Sequence, residues 1–300
     1  MKRVQILPNL ITLANAFCGV LALAKAIDAL ALSGGDPAIF YRKMETACGL
    51  VFLGMVFDSL DGLAARLTRG HSDFGAQLDS FSDALTFGVV PAMLVKVLVE
   101  HEAELTGYVG NSRLNFLAAA AFSLMAILRL VRFNLETEGE SDDHGSFRGL
   151  PSPGAAGAVA STIWLYLILR APELERVEGT PTPMHRVLGW MESIDWTPLL
   201  AWVPPLLVGM LPVLGLLMVS RVTYVHPVSF LLGGRSQFFT LVAVVFGLFL
   251  LFLAPVPFLF LLFNGFAVVG LVFPLVRRAR SSSGDSANPP GPGRLPKRGA

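Results

Sequence analysis

Four aspartates stand out in a chain that is otherwise poor in charge. Asp58 and Asp61 are three residues apart and Asp79 and Asp83 four apart, so on helices each pair shares one face. The polar stretch Leu67 to Phe74 between the pairs is short, which makes the two helices antiparallel neighbours and brings four carboxylates to one point. Four negative charges in a partly dehydrated site repel one another strongly unless cations neutralise them. Carboxylate oxygens are hard donors, suited to magnesium, manganese or calcium rather than zinc. A single such acid reads as a helix cap or a snorkelling side chain. Four with consistent helical spacing read as a metal site, because ionised groups inside apolar segments are costly and default to function.

The elements that must position these acids are apolar helices. Of 300 residues, 53% are hydrophobic and 15% charged, and the mean hydropathy is +0.62. That balance excludes a disordered chain and is hard to reconcile with a soluble globule. Lys and Arg number 23 against 22 Asp and Glu, so there is no electrostatic footprint for nucleic acid. The fold class expected is all-α, a polytopic membrane bundle. Runs of the roughly 20 apolar residues that a span needs occur at about Leu10 to Ala31, Thr46 to Arg66, Asp79 to Val99, Leu114 to Phe133, Pro153 to Leu169, Trp196 to Ser220, Gln237 to Leu253 and Pro257 to Val276. The last two come from 41 uncharged positions, Ser236 to Val276, broken by Ala254-Pro255-Val256-Pro257. With eight spans, Lys and Arg divide 15 to 8, which puts both termini and the aspartates on the cytoplasmic side of the cell membrane. Residues 1–278 read as one integral membrane domain, with an uncleaved first span, and 279–300 as a disordered basic cytoplasmic tail. Between them, Pro172 to Asp195 reads as an outer loop with a short interfacial helix around Met184 to Met191.

Other residue types offer less chemistry. Cys18 and Cys48 lie in apolar runs and form no ligand pair or disulfide framework. The histidines, His71, His101, His144, His185 and His226, have no ligand spacing and read as loop or interface residues. Arg129 and Arg132 serve equally as positive-inside anchors or as anion ligands.

At this point the residues resemble a known family. Asp58, Asp61, Gly62, Ala65, Arg66, Gly75, Asp79 and Asp83 match at every fixed position the pattern D-x2-D-G-x2-A-R-x8-G-x3-D-x3-D of the CDP-alcohol phosphatidyltransferases. The resemblance implies a six-helix core, a site in which four aspartates hold two divalent ions, Mg2+ or Mn2+, and displacement of CMP from a CDP-linked lipid by an alcohol. It further implies that Asp58, Asp61 and Asp79 are metal ligands, and that Asp83 both contacts metal and is the catalytic base. The residue types agree. Gly62 and Gly75 let nucleotide or phosphate approach the backbone, Ala65 keeps that face narrow, and Arg66 can pair with phosphate through two parallel hydrogen bonds.

Three further stretches resemble the bacterial and archaeal branch whose alcohol is L-serine: Leu7 to Asn15 with Phe17-Cys18-Gly19, then Arg132-Phe133-Asn134, and Gly149-Leu150-Pro151-Ser152-Pro153. The first is shared more widely, so Asn9 and Thr12 join Gly62, Ala65, Arg66 and Gly75 as candidate CDP-lipid-binding residues. For the serine carboxylate, Arg132 beside Asn134 is the first choice of cation, with Arg129 and Arg148 as alternates. The expected partners are CDP-diacylglycerol, L-serine and membrane lipids, with a homodimer as the assembly. Choline, glycerol phosphate and inositol phosphate are rival alcohols. Choline would favour an aromatic cage; Phe81, Phe87 and Phe133 are near by sequence, without Trp or Tyr. A divalent-cation transporter is the rival class, but no second copy of the acidic motif supports repeated halves.

Overall fold

The computed structural model describes residues 6–32, 37–67, 73–106, 110–139, 146–170, 196–225 and 237–284. The helix read around Met184 to Met191, the last 16 residues of the tail, and His71, His144, His185 and His226 lie outside them.

Helix α1 (Ile6–Leu32) shows how sequence sets packing here. Its buried side carries Asn9, Thr12 and Asn15, then Cys18, Gly19, Ala22, Ala26 and Ala29, a stripe at three- and four-residue spacing whose small members admit a neighbour closely. Its other side, with Leu10, Leu13, Phe17, Val20 and Ile27, is exposed and suited to lipid. The neighbour along most of its length is α2 (Pro37–Leu67). Next comes α3 (Asp73–Asp83), continued by one π-helical turn (Ala84–Val89) into α4 (Val90–Thr106). The continuous rod Phe74–Ala103 and α6 (Ser152–Arg170) are the two most enclosed spans. Around them stand α5 (Ser112–Gly139) and, after a one-turn helix α7 (Thr197–Leu200), α8 (Val203–Val219). Two three-residue strands, β1 (Ser146–Arg148) and β2 (Thr223–Val225), pair antiparallel with Phe147 opposite Tyr224.

Among the described residues, six helices are long and apolar enough to cross a membrane: Ile6–Leu32, Ala38–Ala64, Phe74–Ala103, Ser112–Leu135, Ser152–Arg170 and Pro198–Val219. Two more helices follow, α9 (Gln237–Leu253) and α10 (Pro255–Gly284), with the shorter apolar stretches Thr240–Leu253 and Pro255–Leu271, so among the described residues eight helical segments form the bundle expected from hydropathy. The boundaries differ in instructive ways. The third span begins before Asp79, which places both of its acids within the helix. The Trp196 to Ser220 segment breaks at Ala201 and Trp202, ahead of Pro204 and Pro205, which then occupy the first turn of α8. Helix α10 starts at Pro255, a residue tolerated at a helix start, and runs six residues into the segment read as a disordered tail. It meets no Gly or Pro between Arg277 and Gly284 to stop it.

Polar contacts tie the bundle together within its apolar body. Asn264 of α10 donates to the Thr162 hydroxyl of α6 at 3.2 Å and to its own Phe260 carbonyl at 3.1 Å, while Phe263 and Phe266 pack on Gly157 and Gly154. At the end of the bundle away from the aspartates, Tyr41 donates to buried Glu102 at 3.0 Å, and Arg170 pairs with Glu102 at 3.5 Å, joining α2, α4 and α6. A buried carboxylate is costly unless paired in this way. His101 beside it is buried and stacks on Phe40 with ring centroids 3.5 Å apart. Of its two readings, loop or interface residue, the loop is corrected and the helix interface stands: α4 continues past it and carries its ring onto α2.

Candidate functional site

The site lies at one end of the bundle, where α1 begins, α2 ends and α3 begins. Asp58 and Asp61 project from the last turns of α2, and Asp79 and Asp83 from α3. Asp58, Asp61 and Asp79 each offer an oxygen within 4.8 Å of the others. Asp83 stands one turn further along α3, close against the Asp58 carboxyl. The two pairs therefore meet as their helical spacing predicts.

These carboxyls fit a hard cation. Asp61 Oδ2 and Asp79 Oδ1 are buried with no hydrogen-bond partner. Buried acceptors are normally satisfied, and two left open beside a third carboxylate form a donor set of the kind that suits a divalent ion. The like charges argue the same way, since their repulsion in a dehydrated setting needs positive charge to offset it.

Helix α1 supplies the opposite wall. Asn15 Nδ2 donates to Asp83 Oδ1 at 3.3 Å, and Thr12 lies against Asp61. In return, Ser82 donates to the Thr12 carbonyl and Thr86 to the Asn15 carbonyl, each at 3.1 Å, so the rod that carries Asp83 is stitched to α1 on both sides of it. The π-turn starts at the residue after Asp83; such turns re-aim side chains and recur at functional sites. Asn9 Nδ2 is buried and has no hydrogen-bond partner, which leaves a donor available to an anionic ligand. Gly54 of α2 closes the arrangement: a Cβ there would meet Thr86 Cγ2 at 2.8 Å and Asn15 Oδ1 at 3.0 Å. A Cβ on Gly62, by contrast, would meet nothing within 4 Å, so the α2 backbone faces open space beside Asp61. Ala65 and Arg66 continue α2 and Gly75 lies in the first turn of α3, while the side chains of Ala65, Arg66 and Arg148 lie outside the described residues.

The two arginines of α5 part company. Arg129 Nη1 donates to the Ser152 hydroxyl at 2.7 Å, its Nε is buried with no hydrogen-bond partner, and its charge acts on Asp83. Arg132 Nη1 donates to the Val219 carbonyl at the end of α8, at 3.2 Å. Asn134 donates to Ser80 at 2.9 Å, joining α5 to α3 between the two aspartates. Phe87 is fully buried in the core, and Phe81 and Phe133 are exposed, so these three rings form no cage for a quaternary ammonium.

Ser82 and Thr86 belong to the site and are absent from the residues singled out by sequence, and Asn15, the end of the stretch Leu7 to Asn15, has no role in it assigned from sequence. Asn15 had a signal: Asn9, Thr12 and Asn15 recur every three residues and share one face of an otherwise apolar helix.

The sequence model of the CDP-alcohol phosphatidyltransferase family matches residues 5–195. A Bacillus subtilis protein named CDP-diacylglycerol–serine O-phosphatidyltransferase is 33% identical over 149 residues, which cover 50% of this chain and 70% of that protein. An archaetidylserine synthase of Methanothermobacter thermautotrophicus is 36% identical over 158 residues, 52% of this chain and 56% of the relative. A CDP-diacylglycerol–serine O-phosphatidyltransferase of Methanocaldococcus jannaschii is 43% identical over 108 residues, 36% of this chain and 45% of its own length.

Proposed function

The chain belongs to the CDP-alcohol phosphatidyltransferase family, and from that premise we propose that it transfers the phosphatidyl group of CDP-diacylglycerol to the hydroxyl of L-serine, releasing CMP. The observation that carries this reading is the meeting of Asp58, Asp61 and Asp79 within 4.8 Å of one another, with Asp83 beside them. Asp58, Asp61 and Asp79 would chiefly hold two divalent ions, Mg2+ or Mn2+, with Asp83 in contact with them, and the ions would supply positive charge against the pyrophosphate and the departing CMP. Asn9, Thr12, Ala65, Arg66 and the backbone at Gly62 and Gly75 receive the CDP-lipid. The open space at Gly62 and the unpaired Asn9 amide support that role.

Asp83 acts as general base. Held by Asn15, its carboxylate takes the proton of the serine hydroxyl while the serine oxygen bonds to the lipid-side phosphorus and the bond from that phosphorus to the CMP oxygen breaks. The serine carboxylate needs a cation, and Arg129 is better suited than Arg132. Its buried Nε is unpaired and its charge acts on Asp83, whereas Arg132 spends a donor on the Val219 carbonyl. Arg132, Asn134 and Arg148 stay as the alternates for serine binding.

The test is CMP release from CDP-diacylglycerol with purified protein, Mn2+ and, in turn, serine, choline, glycerol phosphate and inositol phosphate. Release with serine alone is expected. Release with another alcohol and not with serine overturns the serine assignment and leaves the transfer chemistry standing. Arg129→Ala should raise the Michaelis constant for serine about tenfold or more and that for CDP-diacylglycerol little, because a charge-assisted bond to one substrate is removed.

We place the site at the cytoplasmic face of the cell membrane, on the strength of the 15 to 8 division of Lys and Arg. Reporter fusions after Val276 should behave as cytoplasmic, and an external signal there would overturn the eight-span reading. A homodimer belongs to the same proposal and is checked by cross-linking in native membranes.

A further inference from the structure

Helix α8 and strand β2 lie beyond residue 195, where the family match ends, yet they reach back to the site. The last carbonyls of a helix have no partner within it and carry the negative end of its dipole. At the end of α8, Ser220 takes the Leu216 carbonyl and shares that of Leu217, and α5 and the segment after it supply further donors. Leu150 N donates to the Leu217 carbonyl at 3.0 Å and Arg132 to the Val219 carbonyl at 3.2 Å. Just past the helix, Gly149 N donates to the Val222 carbonyl at 2.8 Å. The pairing of β1 with β2 continues the same attachment outward. Gly149 has φ +86°, a conformation open to glycine at little cost, and a Cβ there would collide with the Met218 carbonyl oxygen.

Three residues after Gly149 comes Ser152, the first residue of α6, fully buried, whose hydroxyl accepts from Arg129 Nη1 at 2.7 Å. The fixed chain thus runs from the end of α8, through Gly149 and Leu150, to Ser152 and so to the guanidinium that acts on Asp83. We infer that Ser152 is a positioning residue for the serine pocket, and that the end of α8, with Gly149 packed on it, is the brace that sets Ser152 and through it Arg129. This rests on the reading of Arg129 as the partner of the serine carboxylate. A guanidinium on a flexible stem loses rotamer freedom when it binds an anion. One already held by a buried hydroxyl has given up part of that freedom beforehand, and the gain appears as affinity for the anion.

The test is a double-mutant cycle on the full chain in detergent, with L-serine and CDP-diacylglycerol as substrates. Ser152→Ala should raise the Michaelis constant for serine about tenfold, the scale of one hydrogen bond to a charged group, with turnover and the constant for CDP-diacylglycerol within about twofold of wild type. In the Arg129→Ala background, Ser152→Ala should add nothing, because its only route to serine has gone. Gly149→Ala should reproduce the split seen in Ser152→Ala. If Arg129→Ala leaves the serine constant unchanged, the reading of Arg129 has failed. If Arg129→Ala raises it and Ser152→Ala leaves it unchanged, or the two effects add independently, the positioning role has failed while that reading stands. If Ser152→Ala behaves as expected and Gly149→Ala has no effect, the brace is overturned.

Discussion

Asp61→Asn is expected to cut turnover about a thousandfold while raising the thermal stability of the metal-free protein. Asp61 is 6% exposed and shares a site 4.8 Å or less across with Asp58 and Asp79. At an effective dielectric constant of about 20, two unit charges that far apart repel by on the order of 3 kcal/mol. Replacing one carboxylate by its amide removes two such repulsions with almost no change of shape, so the metal-free bundle gains stability. The same change removes an acceptor that a hard cation needs. A divalent ion stabilises the state that binds it by about 2.7 kcal/mol when present at a hundred times its dissociation constant, and that increment should shrink. Losing several kcal/mol of charge stabilisation in the transition state corresponds to a fall of about a thousandfold in rate. Thermal unfolding in detergent with and without Mn2+, beside CMP release, reads all three quantities. A variant with the wild-type response to Mn2+, or with turnover within about tenfold of wild type, would show that Asp61 holds no ion.

The acids were legible because two kinds of information coincide at them. Helical spacing puts Asp58 with Asp61 and Asp79 with Asp83 on single faces, and the shortness of the connection puts the faces together. Long apolar runs and the Pro255 break were legible for the same local reason. What the sequence withheld depends on contacts between distant segments. Arg129 and Arg132 are three residues apart on one helix face and equivalent by pattern; only the arrival of Ser152 from α6 and Val219 from α8 separates them. The β1 and β2 pairing joins three-residue strands more than 70 residues apart, too short to show alternation. The need for glycine at position 54 comes from Thr86 and Asn15 on two other elements. The π-turn after Asp83 has no residue signature, and it is bound up with Thr86 reaching the Asn15 carbonyl. Asn15 is the instructive omission. A polar residue at helical spacing from Asn9 and Thr12, facing inward on an apolar helix, carries the same signal that singled out the aspartates.

Asp83→Asn tests the chemistry itself. Asp83 is 9% exposed, and Asn15 Nδ2 donates to its Oδ1 at 3.3 Å. A carboxamide in its place still offers an oxygen to that donor, so the rod and α1 keep their stitching through Ser82 and Thr86. What it lacks is basicity. If the serine hydroxyl gives its proton to Asp83, turnover should fall by about a hundredfold or more, the usual scale for a lost general base. The Michaelis constant for CDP-diacylglycerol should stay within about twofold of wild type, since nothing that receives the nucleotide has moved. The contrast with Asp61→Asn is in the metal response. Asp83 stands beside the three acids that approach within 4.8 Å of one another, and is not itself one of them. Its replacement should therefore leave most of the stabilisation by Mn2+ in place while the chemical step slows. Single-turnover release of CMP, with enzyme in excess over CDP-diacylglycerol, isolates that step from product departure. A near-normal single-turnover rate would mean that the proton goes to another acceptor. A collapse of the Mn2+ response equal to that of Asp61→Asn would make Asp83 chiefly a metal ligand, and the loss of rate would then say nothing about where the proton goes.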